Sequence, residues 1–386
     1  MKLISLGDVN FKLINILIGG LAKLVAELIL YFFEGKIEMN KHPFILGLNA
    51  SLGMIFAFIP DLILKYKLNN KITKEDEIIL LGDRRKKFKR KLKKFCISLY
   101  FFIIKELKTL RILLMDNLYL NLVLFLCCFF DFTQKLLSFL YPKYVLNNIW
   151  IFDIIFIGLL SWLILGLKLY KHQYYSSLIM VIFGIILNAI KFECEGNTFY
   201  CLLLSFVIEI FHNLDIVLSK YLMDSLFMTP FEITYIEGIF AFVLNFIFLS
   251  ISTNNELNNP PLLIDLAQHC KYKDKTYLDN FFAYWDKFKG TEILAFVVQM
   301  FSRGLFNLFG HIIAKDFTPS HIIFLLMIGE IFLVFKKFEP MKLASLFIIL
   351  IEFFMLLIFT EIIELNFCGL EYNTKKNIKE REKLLA

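Results

Sequence analysis

Apolar residues in this chain fall in continuous blocks separated by short polar stretches. Each block runs to roughly 20 residues, the length that crosses the hydrocarbon core of a bilayer as a helix. A soluble helix would instead repeat its apolar positions with a 3.6-residue period. The blocks predict helices over 11–33, 43–65, 118–142, 147–167, 173–190, 198–221, 230–252, 291–314, 318–336 and 341–365. Continuous apolar runs exclude a membrane β-barrel, whose strands alternate. The block 95–115 is interrupted by Lys105, Glu106, Lys108 and Arg111, so it predicts an interfacial helix rather than a span. The expected fold class is an all-α membrane protein of about ten transmembrane helices.

Composition agrees with that pattern. The chain is 58% hydrophobic, against roughly 45–50% for soluble proteins, and its mean hydropathy is +0.66. A strong Phe, Ile, Lys and Asn bias points to an AT-rich genome such as a protist's. The seven cysteines, Cys96, Cys127, Cys128, Cys194, Cys201, Cys270 and Cys368, contain no CxxC pair and sit mostly in or beside apolar segments. They predict neither a disulfide framework nor a metal site. Residues 1–10 lack a cleavable-signal or transit-peptide pattern, so the first apolar block is expected to serve as an uncleaved anchor.

Charge sets the expected orientation. The loop from Lys65 to Phe95 holds 13 Lys or Arg and four acidic residues. Its densest part includes Arg84, Arg85, Lys86, Lys87, Lys89, Arg90 and Lys91. Beside membrane helices, such a run fixes topology and contacts anionic lipid headgroups or partner subunits. Nucleic acid is not an expected partner, because no folded module presents the run. The patches at Lys168, Lys171, Lys220, Lys315 and Lys375–Lys383 also follow even-numbered helices. Both termini are therefore expected on the cytoplasmic side, or the matrix side of an inner mitochondrial membrane, with an endomembrane as the alternative.

Two helix starts look alike. His42-Pro43-Phe44 leads to Gly53-Met54-Ile55-Phe56-Ala57-Phe58, and Thr229-Pro230-Phe231 leads to Gly238-Ile239-Phe240-Ala241-Phe242. Proline suits a first helical turn, where its missing N–H costs nothing. The two helices lie five spans apart. A five-helix unit has an odd number of crossings, so its second copy must be inverted, as in many transporters. The units would be 1–196, with the basic loop 65–95 and the interfacial segment 95–115, and 197–386, with the loop 252–290 and the basic tail.

These residues carry a family resemblance. His42-Pro43-Phe44, Phe130-Asp131-Phe132-Thr133, Ser219-Lys220-Tyr221, Thr229-Pro230-Phe231 and Glu237-Gly238-Ile239-Phe240-Ala241-Phe242 follow one another in the order and spacing of a known pattern. So does the stretch from Leu305-Phe306-Asn307 to Ala314-Lys315-Asp316. The whole resembles the nucleotide-sugar-transporter-like branch of the drug/metabolite transporter superfamily. That resemblance implies a 5+5 inverted-repeat fold and exchange of nucleotide-linked or phosphorylated metabolites by alternating access. The chain departs from the family at two basic positions. Asn147–Ile154 lacks the Leu-Arg-Gly pattern, and Thr318-Pro319-Ser320-His321 replaces a pattern ending in arginine.

Ionisable residues at mid-span are costly and invite a functional reading. Asp131, Asp153, Glu209, Glu237, Arg303 and Glu330 are the candidates for a midplane pathway or internal ion pairs, with Glu27 and Glu352 also near mid-span. Acids outnumber Arg303, which suits a cation or a proton better than an anion. Pairing of Arg303 with Glu330 or Asp131 is the structural alternative. Glu209, His212 and Asp215 share a helical face, but no second ligand set makes them a metal site. The spacing His311-x4-Asp316 has no partner motif, and no catalytic motif occurs.

Two functional expectations follow. One is an active metabolite carrier. The other is a transport-incompetent carrier fold acting as an accessory subunit of a larger membrane assembly, such as a mitochondrial respiratory complex. The missing basic positions, only 17 Gly against 45 Phe, and the resulting prospect of a phenylalanine-packed interior favour the second. Bound phospholipids and other membrane subunits are the expected companions, with no cofactor and no enzymatic activity.

Overall fold

The apolar blocks fold as helices because a helix satisfies its own backbone where no water can. The computed structural model describes residues 4–6, 13–37, 42–73, 118–140, 152–167, 170–190, 198–256, 270–273, 275–286, 290–327 and 340–365. The basic run 84–91, the segment 95–115, Glu330, Cys96, Cys194, Cys368 and the tail beyond 365 lie outside these residues. The described helices are α1 (Leu13–Ile37), α2 (Pro43–Ile55), α3 (Phe58–Thr73), α4 (Leu118–Leu140), α5 (Asp153–Leu165) and α6 (Lys171–Ile190). They continue with α7 (Thr198–Ser225), α8 (Pro230–Asn254), the short α9 (Phe281–Trp285), α10 (Thr291–Asp316) and α11 (Pro340–Phe359). Strand β1 (Ile4–Leu6) pairs antiparallel with β4 (Ile363–Leu365), and β2 (Cys270–Tyr272) with β3 (Lys275–Tyr277).

Five stretches are long and apolar enough to cross a membrane: Pro43–Lys65, Leu118–Ser138, Leu202–Ser225, Pro230–Asn254 and Thr291–Asp316. Ile14–Ala26, Asp153–Leu165 and Leu346–Phe359 are shorter apolar helices. Large apolar side chains such as Leu203, Phe246, Phe301 and Phe347 lie on the outside. This is the make-up of an all-α membrane protein.

Three predicted helices differ in detail. The stretch 43–65 is two helices, broken at Phe56–Ala57. Pro60 lacks an N–H and crowds the carbonyl four residues back, at Phe56, so the ladder is interrupted there. The predicted 318–336 helix opens as a 3-10 turn over Pro319–Ile322. The predicted 341–365 helix stops at Phe359, and Ile363–Leu365 pairs instead with the N-terminal strand.

Helix pairing is orderly. α2 packs on α8, α1 on α10, α4 on α7, and α6 on α11. α2 and α8 run antiparallel, with Phe44 on Phe248 at one end and Asp61 on Thr229 at the other. α1 and α10 are antiparallel, from Asn15–Asp316 to Lys23–Phe306. So are α4 and α7, from Tyr119–Tyr221 to Phe130–Phe211. α4 runs parallel to α8, and α2 parallel to α10.

Backbones approach closely around α2. A Cβ at Gly53 would collide with the Met300 carbonyl oxygen of α10, and one at Gly304 would collide with Gly53 itself. One at Gly238 of α8 would come within 2.8 Å of the Met54 Cβ. Small residues let helices associate in lipid, where the hydrophobic effect offers no drive between them. Gly53, Gly238 and Gly304 thus sit where three helices meet.

Candidate functional site

The space enclosed by α4, α7, α8 and α10 is polar. Cys127 on α4 is fully buried, and its Sγ lies 3.1 Å from Asp215 Oδ1 and 3.0 Å from Ser219 Oγ, both on α7. The same sulfur lies 3.3 Å from Glu237 Oε1 on α8, an oxygen that Ser219 Oγ also reaches at 3.3 Å. The other oxygen, Oε2, lies 3.5 Å from His311 Nε2 on α10. His311 Nδ1 is 2.8 Å from Thr234 Oγ1. One carboxylate thus joins side chains from all four helices.

Helical spacing explains the convergence. Cys127, Asp131 and Lys135 are successive i, i+4 positions and share one face of α4. Asp215 and Ser219 do the same on α7. Asp131 pairs with Lys135 at 2.6 Å, one turn from the network. Arg303 lines a neighbouring cavity with Ser51, Lys135 and Asn245. Its volume is about 20 Å³, room for about one water and far below the several hundred Å³ of a metabolite pocket.

Asp153 and Glu209 form a second buried group. Asp153 is wholly buried at the start of α5 and accepts a 2.6 Å hydrogen bond from Asn213. Glu209 lies beside it, with the Lys23 ammonium within electrostatic reach of both. Glu209 and Asp215 therefore serve different neighbours, and the shared face of α7 divides between two groups. Glu352 is buried on α11.

Sequence reasoning picked out Asp131, Asp153, Glu209 and Glu237 but not what joins them. Cys127 reads as a small hydrophobe, and Ser219 and Thr234 carry no charge to notice. Lys135 was legible from its i, i+4 spacing to Asp131. His311 bonds Glu237 and Thr234, while Asp316 bonds Asn15 at 3.5 Å, so the His-x4-Asp spacing brings no pair together.

Ligand atoms of Cys127, Asp215 and Glu237 lie within 4.8 Å of one another and could in principle hold a soft ion. The Cys127 thiol has one hydrogen and donates to Asp215 or to Glu237, and Ser219 reaches Glu237 as a second donor.

A separate buried carboxylate organises one end of the bundle. Asp279, fully buried before α9, accepts from the N–H groups of Phe44 at 2.8 Å and Ile45 at 3.2 Å. Its other oxygen is 2.7 Å from His42 Nδ1. Ser252, at the end of α8, hydrogen-bonds both the N–H and the carbonyl of Asp279. No protein-family model matches the chain, and no curated protein shows significant similarity to it.

Proposed function

We propose that this protein is a carrier of drug/metabolite-transporter type, with ten spans in a 5+5 inverted repeat, whose buried polar network forms part of a pathway coupled to a cation or proton. The network at Glu237 carries the proposal. Placing three carboxyl groups, a histidine and a lysine inside a membrane bundle is costly, and such groups mark ion and solute pathways. A purely structural interior would be filled by apolar side chains, as the phenylalanine content led one to expect.

The helix pairing supports the repeat. Numbering the predicted spans one to ten, the pairs are 1 with 8, 6 with 3, 2 with 7, and 5 with 10. Adding five to each member returns these four pairs, as an approximate two-fold axis requires; the packing of 2 on 8 has a weaker counterpart in 3 on 7, and that of 4 on 6 has no comparable one among the described residues. Helix directions fit alternating spans, odd against even antiparallel and odd beside odd parallel. The β1–β4 pairing supports placing both ends of the chain on one face of the membrane, the cytoplasmic or matrix face by the charge rule.

One observation favours the accessory-subunit reading. The cavity at Arg303 is too small for a metabolite and would suit a static interior. Reconstitution decides between the two. The purified chain in liposomes is expected to move protons together with a cationic or metabolite substrate. Absence of any flux, with co-purification in a stoichiometric large complex, would make the chain a structural subunit, with a respiratory assembly the first to examine.

A further inference from the structure

We propose that one exchangeable proton sits between Glu237 and His311, and that this proton is the ion the carrier couples to. Its position follows from the hydrogen-bond directions at Thr234 and His311 and from the 3.5 Å approach of Glu237 to the ring. Its role rests on the carrier reading above.

Thr234 is fully buried, and its Oγ1 has two neighbours, the Pro230 carbonyl oxygen at 2.7 Å and His311 Nδ1 at 2.8 Å. A hydroxyl has one hydrogen, and a carbonyl can only accept. Thr234 therefore donates to Pro230 and must accept from His311. That fixes an N–H at Nδ1. In the neutral ring, Nε2 then carries only a lone pair, and it faces Glu237 Oε2 at 3.5 Å. An ionised carboxylate there would set lone pair against lone pair. The contact becomes attractive only with a proton in it.

Two protonation patterns satisfy the geometry. In one, Glu237 is a carboxylic acid donating from Oε2 to Nε2. In the other, the O–H bond has broken, its electron pair stays on the carboxylate, and an N–H has formed on an imidazolium. Oε1 is held apart from this exchange by Cys127 and Ser219.

The surroundings favour retaining the proton. From α4, Asp131 and Lys135 face the pair, and from α7, Asp215. Among the described residues, Asp131, Asp215 and Glu237 thus share this volume with Lys135, and Arg303 lines the cavity beside it. On α7, His212 lies within reach of Asp131, Lys135 and Lys23, the last carried by α1. α2 offers only the neutral Ser51 and Met54 beside Gly238. On α3, Asp61 and Lys65 are tied to Thr229 and Glu232 at the start of α8. α9 places Tyr284 against His42 at the other end, and the 3-10 turn ties His321 to Thr318. Arg303, Lys315 and Asp316 are the other charged groups along the second half of α10.

Infrared difference spectroscopy on the full chain in lipid nanodiscs, titrated from acid to alkaline pH, tests the position. A protonated-carboxyl band is expected that disappears in Glu237→Gln and shifts in His311→Asn. Identical spectra for the wild type and Glu237→Gln overturn the inference and leave the carrier reading standing. Nitrogen-15 histidine NMR on the wild-type chain covers the case of a variant that does not fold. The His311 ring is expected with its hydrogen on Nδ1, and a neutral ring with hydrogen on Nε2 overturns the proposal. Coupling is read in liposomes loaded with a pH dye. Loss of solute-driven proton flux in Glu237→Gln supports it, and undiminished flux in that variant overturns it. Absence of flux in the wild type sinks the carrier reading and the coupling with it, whatever the infrared result.

Discussion

Two helices in this protein begin with the same dipeptide and are held in different ways. α8 begins Thr229-Pro230-Phe231-Glu232 and caps itself. The Thr229 hydroxyl accepts from the Glu232 N–H at 3.1 Å, and the Glu232 carboxylate takes the Thr229 N–H at 2.7 Å, a reciprocal capping box. α2 begins His42-Pro43-Phe44-Ile45 and has no cap of its own. Its free N–H groups are taken by Asp279, more than two hundred residues away. The glycines differ too. Gly238 of α8 meets α2, whereas Gly53 of α2 meets α10. Glu237, just before Gly238, is matched at that point in α2 by Leu52. Similar sequence at two helix starts therefore does not give them similar partners.

Asp279→Ala should break this contrast most severely. It strips the acceptor from two helix N–H groups and leaves His42 buried without its partner. A loss of about 3–5 kcal/mol is expected, read as a large fall in the melting temperature of the purified chain in mild detergent. Asp279→Asn, which keeps an acceptor oxygen, should recover part of it. Gly53→Ala comes next, at about 1–3 kcal/mol, because its methyl meets backbone that cannot turn aside. Gly238→Ala should cost less, since its methyl would approach α2 to 2.8 Å at Met54 Cβ, whereas the Gly53 methyl would come closer still to the Met300 carbonyl oxygen. Equal losses at the two glycines would erase the asymmetry.

Thr229→Ala should cost about 1–2 kcal/mol, since it removes a local cap and one donor to the buried Asp61, which keeps Lys65. A gain is expected just before it. Phe227 is 86% exposed and holds a φ of 57°, a left-handed conformation in which the Met228 N–H reaches back to the Leu222 carbonyl to end α7. Phe227→Gly should raise stability by about 0.5–1 kcal/mol.

The smallest effect belongs to Lys275, in the hairpin that leads to Asp279. Glu256 hydrogen-bonds its exposed ammonium and holds it above the ordinary lysine range. The folded-state value is the higher one, so the contribution is complete at neutral pH and fades as alkaline pH passes through the raised value. Lys275→Ala should lower the melting point slightly at neutral pH, and the difference from wild type should vanish in strong alkali.

Much of the fold was legible. The helices at 118–140 and 230–254 lie within two residues of the predicted bounds, because an uninterrupted apolar run has one low-energy conformation in lipid. The break after Ile55 was written in Pro60, though the apolar pattern ran straight through it. The strand at Ile363–Leu365 was not legible, since pairing with Ile4–Leu6 spans almost the whole chain. At the site, charge drew attention to Glu237 and Asp131. Cys127, Ser219 and Thr234 were missed because a small polar residue on an apolar helix reads as packing until its partner is known.

By itself the sequence determined the local matters: which segments are apolar enough to span, that Pro43 and Pro230 start helices, and which ionisable residues lie within apolar segments. Tertiary structure decided everything that depends on distance across the chain. It gave Asp279 to the start of α2, set Gly53 against Met300, and turned Glu237 toward His311 instead of toward a lysine or an arginine. Each of those contacts joins residues that no spacing rule connects. Their energy comes from desolvated polar groups meeting only once the helices have packed.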